Sequence, residues 1–292
     1  MLGYIYLISA TILFSFSFGL IKQQVAGLSS DAVSLLRLAL ATLVFLPFFR
    51  KLKVGEHLCA LCIGAVQFGL MYILFIRAFR YLQGNEVALL TTTTPMWVAL
   101  FFSFYGKSIR YQHFACAILS MCGAVLIVWN PMAIASSLSG IFLVQGANVC
   151  FALGQVFWKQ YLGTNNNAVM ASAYLGAVLT ALPFALLTTD WNNFSPSPAQ
   201  WGALLYLGCI PTALGFWLWN KGVVKVGPSS LAVMNDLKIP MSVLMALILF
   251  QETVANPFRF LIGSFLIVTA IFLGRRIDKK NSELRQQRIP WK

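Results

Sequence analysis

Residues 58–76 read LCALCIGAVQFGLMYILFI, nineteen positions without an Asp, Glu, Lys, Arg or His. A helix needs about 20 such residues to cross the hydrocarbon core of a bilayer. The strand of a membrane barrel would alternate apolar and polar residues, and this stretch does not. Outward from it the pattern recurs: Ile8–Ile21, Leu38–Phe49, Val87–Gly106 and Phe114–Leu143 are equally free of charge. Across 292 residues, hydrophobic types make up 59% and charged types 10%, against about 25% charged in a soluble domain. So little charge could not cover a water-exposed surface. In lipid, only helices or closed barrels satisfy their own backbone. The expected fold is therefore an all-α integral membrane protein of ten transmembrane helices. Its spans fall near 3–21, 32–49, 57–76, 84–104, 112–130, 140–159, 168–188, 200–220, 229–250 and 257–275.

The net charge of +13 would suggest a nucleic-acid surface on a soluble protein. Here it reads as basic residues flanking spans, and no nucleic-acid partner is expected. With the N-terminus inside, the cytoplasmic side takes Arg50, Lys51, Lys53, Lys107, Arg110, Lys159, Lys221, Lys225 and the tail residues Arg275, Arg276, Lys279, Lys280, Arg285, Arg288 and Lys292, fifteen in all. The outer side takes four: Lys22, Arg77, Arg80 and Arg259. The bias places both termini in the cytoplasm of a multi-pass protein of the inner (plasma) membrane. The start lacks a basic leader and a small-residue cleavage site, so its apolar stretch reads as a retained span. All six cysteines fall in apolar stretches, which suggests neither a disulfide framework nor a metal site. The stretch 188–200, with Asp190, Asn192, Pro196 and Pro198, reads as an exposed loop. The tail from Arg275 reads as charged and solvated.

An internal repeat appears when the sequence is shifted by 145 positions: Pro95-Met96 falls on Pro240-Met241, Arg80 on Lys225, and Lys107 on Glu252. Five spans per half invert the second half relative to the first. Inverted repeats are a common architecture of secondary transporters, with the site near the midplane at the repeat interface. The expected units are 1–133, 138–276 and a charged cytoplasmic tail, 277–292.

Of eight acids, only Asp236 lies deep within a span, and Lys238 follows two residues on. Ionisable residues inside a membrane are costly and mark functional sites. On a regular helix these two positions do not face each other. Together they would suit a zwitterion such as an amino acid; a cationic amine or an organic anion would use one alone. Proline frees the carbonyl four residues before it. Pro240 thus frees that of Asp236, and Pro95 that of its repeat mate Thr91, so helix breaks are expected at matching positions. Gln145, Asn148, Ala152, Gln155 and Lys159 form one helical face of the sixth span. Such a stripe either lines a cavity or bonds a neighbouring helix; the cavity is favoured. Tyr72, Trp217, Asn220 and Thr91 complete the candidate substrate-binding set.

These residues resemble the drug/metabolite transporter superfamily, specifically EamA-type permeases, over nearly the whole chain. Such permeases open with a Trp-Gly-x-Asn-Phe-like stretch and then a lysine; here Phe14-Ser15-Phe16-Ser17-Phe18 precedes Lys22. An arginine begins their second span, as Arg37 does here. Thr94-Pro95 and Gln251-Glu252 fit their Thr-Pro-like step and Gly-Glu span end, whereas Gly106-Lys107 reverses a charge and Lys238-Ile239-Pro240 departs from the usual apolar step. The resemblance implies ten helices in two inverted halves and export of amino acids or related metabolites. The expected function is a secondary transporter moving a small polar metabolite by alternating access. The competing readings are a membrane-embedded enzyme and a scaffold. No acid–base constellation supports an enzyme, and no Walker A motif supports ATP drive. No cofactor and no metal are expected. The partners are a small-molecule substrate, the lipid bilayer and protons as a candidate coupling ion, with the oligomeric state left open.

Overall fold

A computed structural model describes residues 1–25, 27–49, 53–106, 111–129, 137–163, 167–249 and 256–287, with backbone alone at 18, 19, 22, 23, 85, 246, 249 and 284–287. Lys107, Gln251 and Glu252, and the side chain of Lys22, lie outside the described residues. The chain is all-helical and folds as ten membrane helices in two inverted halves of five. The first half comprises α1 (Leu2–Gln24), α2 (Ser30–Phe45), α3 (Val54–Ala78), α4 (Gly84–Thr91 then Thr94–Tyr105) and α5 (Tyr111–Val128). The second comprises α6 (Leu138–Leu162), α7 (Asn167–Thr188), α8 (Pro198–Lys225), α9 (Pro228–Met234 then Lys238–Leu249) and α10 (Pro257–Gln287).

The packing maps onto itself when the halves are exchanged. Helix α2 packs on α7 and α5 on α10, each pair being its own mate. The pairs α1·α8 and α1·α9 have α6·α3 and α6·α4 as counterparts. A wide-turn segment at Ala65–Leu70 in α3 matches Gly208–Gly215 in α8, the same 145-residue shift seen in the sequence. Such π-turns are frequent at functional sites. Small residues let the halves approach: a Cβ on Gly64 of α3 would lie 1.9 Å from the carbonyl oxygen of Ala173 in α7. Close backbone approach of this kind drives helix association in lipid, where apolar burial against tails gains little.

Helices α4 and α9 are broken where proline dictates. Pro95 cannot donate to Thr91, and the Thr91 carbonyl accepts instead from Thr94 Oγ1 at 2.7 Å. Pro240 cannot donate to Asp236, whose carbonyl accepts from the Ile239 amide at 2.9 Å. The turns Thr92–Thr93 and Asn235–Leu237 interrupt the two helices at corresponding depths. The loop between α7 and α8 is closed by a capping box: the Ser197 amide donates to Gln200 Oε1 at 2.8 Å and the Gln200 amide to Ser197 Oγ at 3.3 Å.

The described part of the tail is helical. Helix α10 continues to Gln287, about 46 Å at 1.5 Å per residue and longer than a bilayer core is thick. Its Asp278 accepts from the Ser229 amide (3.1 Å), the Ser230 amide (2.9 Å) and Ser230 Oγ (2.6 Å) at the start of α9. A carboxylate capping a helix N-terminus satisfies donors that have no partner within the helix, so this part of the tail is tied to the bundle.

Candidate functional site

A central cavity lies between the halves. Both halves build it. Thr11, Phe14, Ser17 and Ile21 come from α1, Arg37 from α2, Met71, Tyr72 and Phe75 from α3, and Thr91 and Thr94 from α4. The second half adds Ala147, Asn148 and Phe151 from α6, Phe216 and Trp219 from α8, and Asn235 and Lys238 from α9. The wall is mainly apolar and aromatic. It carries two cations, and none of the described lining residues is acidic.

Arg37 is buried, at 2% exposure. Its Nη2 donates to the Tyr72 hydroxyl at 3.0 Å, and Nε and Nη2 donate to Thr212 Oγ1 at 3.3 and 3.2 Å. Thr212 Oγ1 donates its one proton to the Leu207 carbonyl at 2.6 Å. The Tyr72 hydroxyl, 3.0 Å from Thr212 Oγ1, must then be the donor in that pair. Thr212 lies within the π-turn of α8, and Tyr72 follows that of α3 by two residues. They solvate the guanidinium without neutralising it. Among the described residues no carboxylate lies within ion-pair distance of Arg37 or of Lys238. Asp31, six positions before Arg37, is taken by Arg77 at 2.8 and 3.0 Å and by Arg80 at 3.7 Å.

The structure divides the candidates drawn from sequence. Tyr72, Thr91, Asn148 and Lys238 meet on the cavity wall. Asp236 is fully buried and absent from the lining; Ser120 Oγ on α5 donates to its Oδ2 at 2.7 Å. Gln155 donates to Asn235 Oδ1 at 3.2 Å and so supports a wall residue from behind. Asn220 accepts from Gln67 Nε2 at 3.1 Å. Trp217 Nε1 donates to Asn167 Oδ1 at 3.0 Å, and Lys221 Nζ sits 3.5 Å from the Trp217 ring centroid. Neither Asn220 nor Trp217 lines the cavity. Pro95 and Pro240 lie just beyond the two helix breaks.

The polar stripe of α6 is mostly a seam. Asn148 Nδ2 donates to the Leu90 carbonyl at 2.9 Å and to Thr93 Oγ1 at 3.1 Å, and Gln145 Nε2 reaches the same carbonyl at 3.3 Å. Lys159 donates to the Val223 carbonyl at 3.1 Å and also to that of Val226. The stripe thus fastens the break in α4 at one level and the break in α9, through Gln155, at another. Asn148 is the member that also faces the cavity.

Sequence reasoning passed over Arg37 as a site residue, although a cation inside a span was the available signal. The aromatic wall had no such signal: Phe14, Phe151, Phe216 and Trp219, with ring centroids 4.8 to 6.0 Å apart, are ordinary in a chain that is 14% aromatic.

A family model described as the EamA-like transporter family matches residues 1–129 and 138–275. A protein of Pseudomonas aeruginosa named "Probable biotin transporter" is 34% identical over 92% of this chain and 96% of its own length. The protein of Escherichia coli strain K12 named "Biotin transporter" is 32% identical over 92% of each chain. One solved crystal structure superposes with a TM-score of 0.78 over 95% of this chain and 98% of that one; at 16% identity it shows the shared fold alone.

Proposed function

Because this chain belongs to the EamA-like transporter family, we propose that it carries a small organic anion of the biotin class through the central cavity. The observation that carries this reading is the pair of cations, Arg37 and Lys238, on a wall with no acid among its described residues. Biotin is a monocarboxylate joined by an apolar chain to a ureido ring. Its carboxylate would meet the cationic groups, and its chain and ring would lie against Phe14, Phe151, Phe216 and Trp219. Asn148 spends its amide protons on Leu90 and Thr93, which leaves its Oδ1 to accept from a ureido N–H. The names of the two relatives support the same substrate class.

The amino acid expected from sequence requires a carboxylate on the wall to meet its ammonium group. Asp236 is turned toward Ser120 instead, so the anion is the better fit. The remaining parts of the proposal follow from the architecture. The two halves, 1–133 and 138–276, rock about the cavity in alternating access, with both termini cytoplasmic and 277–292 as the tail. A secondary carrier moves solute down the combined gradient, so the gradients the cell maintains decide between uptake and export, and a proton gradient is the coupling candidate. Purified protein in proteoliposomes should take up labelled biotin saturably, with competition by unlabelled biotin, and an imposed pH gradient should change the initial rate if protons couple. Transport of amino acids with none of biotin would overturn the reading.

A further inference from the structure

The neutral polar groups on the described cavity wall have, with one exception, spent their protons on the protein itself. Thr91 Oγ1 donates to the Ala88 carbonyl at 2.8 Å, and Thr94 Oγ1 to that of Thr91 at 2.7 Å. Thr11 Oγ1 donates to the Leu7 carbonyl at 2.7 Å. A carbonyl cannot donate, so these directions are fixed, and a hydroxyl whose single proton is used can offer only lone pairs. The Nδ2 protons of Asn148 go to Leu90 and Thr93. Those of Asn235 go to the Leu231 and Ala232 carbonyls at 2.8 and 3.3 Å. The Tyr72 hydroxyl gives its proton to Thr212. The indole N–H of Trp219 is enclosed by protein. The exception is Ser17 Oγ, loosely held at 3.5 Å from the Leu13 carbonyl. The strong donors left to the cavity, among the described residues, are therefore the cations: Lys238, and Arg37 through Nη1, which takes no part in the bonds to Tyr72 and Thr212.

Three of the spent groups gather at one level. Thr91 and Thr94 flank the break in α4, and Asn148 is bonded to Leu90 and Thr93 of the same segment. Asn148 Oδ1 has no hydrogen-bond partner among the described residues. We propose that Thr91, Thr94 and Asn148 form an acceptor cluster that reads the uncharged end of the substrate by its N–H donors, so that the carrier sorts monocarboxylates of similar size by whether they bear them. This rests on the anion-carrier reading above. An N–H that leaves water for this cluster keeps a hydrogen bond and satisfies an oxygen on the wall. A carbonyl or ether oxygen brought to the same place meets only lone pairs and loses its water without replacement. A hydrocarbon or sulfur ring leaves the wall oxygens unpaired. A site built to bond an N–H rejects the analogue that lacks it more strongly than apolar contact can sort by size. The ureido oxygen of biotin is itself an acceptor, and it has to be met by the donors that remain, chiefly the cations.

The test is inhibition of labelled biotin uptake in proteoliposomes by three unlabelled monocarboxylates. Biotin and desthiobiotin carry both ureido N–H groups, and desthiobiotin lacks the thioether. Lipoate has a comparable apolar chain and a disulfide ring without an N–H. In wild type, desthiobiotin should inhibit within about threefold of biotin, and lipoate should need at least about tenfold more. Thr91→Val keeps the shape of the side chain and removes its oxygen. It should weaken biotin and desthiobiotin by about fivefold and leave lipoate unchanged, so that the gap narrows. Thr91→Ser, which retains the oxygen, should keep the wild-type gap. Lipoate inhibiting wild type as well as biotin does would overturn the inference, and so would desthiobiotin as weak as lipoate, which would assign recognition to the thioether. Loss of affinity for all three compounds by one common factor in Thr91→Val would overturn it too, because a packing role gives that outcome. Absence of wild-type biotin uptake would instead count against the anion-carrier reading on which it stands.

Discussion

At the scale of single residues, Arg37 makes the sharpest trade. Removing its charge leaves no orphan behind, because the Tyr72 and Thr212 hydroxyls are 3.0 Å apart and already bond each other. A cation taken from water and repaid only by hydroxyls is a net cost to the fold. Arg37→Met should therefore lower anion uptake by about two orders of magnitude if the guanidinium anchors the substrate. Stability in detergent should rise by on the order of 1 kcal/mol. Uptake and a thermal melt on the same preparation decide the matter: a variant that loses stability and keeps transport would make Arg37 a structural group. This residue was visible in the sequence as a cation within a span, yet its importance was not. Nothing in the one-dimensional order shows that Asp31 is committed to Arg77 and Arg80 and that Arg37 is left without an acid among the described residues.

At the scale of helices, the two breaks and the seams that hold them are the parts on which movement would depend. Asn148 carries both a seam and a wall function. Asn148→Leu removes its bonds to Leu90 and Thr93, while Gln145 keeps its own bond to Leu90. Hydrogen bonds between membrane helices average about 0.6 kcal/mol and reach about 2. The variant should therefore fold, with a loss of that order, and lose transport out of proportion to its stability. Equal fractional losses in both would assign Asn148 to the seam alone. Packing of α3 on α7 is far less tolerant. Gly64→Leu would place a Cβ within 1.9 Å of a backbone oxygen, whereas at Gly202 a Cβ meets nothing within 4 Å. Gly64→Leu should abolish folded protein in the membrane and Gly202→Leu should leave its level unchanged, as read by fluorescence-detected gel filtration. The proline breaks were legible in the sequence because proline acts on its own backbone. The partners that reseal them, Thr94 within the helix and Gln145 and Asn148 across it, depend on how α4 and α6 pack.

At the scale of the whole molecule, ten crossings put both termini on one face, and the charge bias favours the cytoplasm for it. Fifteen Lys and Arg fall on that side and four on the other. A reporter active only in the cytoplasm should work when fused at Lys292 and fail when inserted within 192–197; the reverse at both positions would sink this orientation. On the termini face several helices meet at the start of α9. Tyr4 of α1 bonds Ser230 at 2.6 Å, His113 of α5 bonds Ser229, and Asp278 of α10 caps the turn. The opposite face has its own tie, with Asp31 of α2 holding Arg77 of α3 and Thr188 of α7.

Hydropathy, proline position and the shift of 145 residues determined the membrane environment, the helix number, the inverted halves and the levels of the two breaks. These are properties of local composition and of the backbone, and they survive without knowledge of any neighbour. The direction of each side chain was decided by the tertiary structure. Helical periodicity assigns faces only while the helix is regular, and Asn235 to Leu237 lie where α9 is not, with Lys238 opening its second piece. There, contact with Ser120 on α5 turned Asp236 away from the cavity, and Lys238 stayed on its wall. The same packing brought Arg37, Tyr72 and Thr212 together from three separate helices.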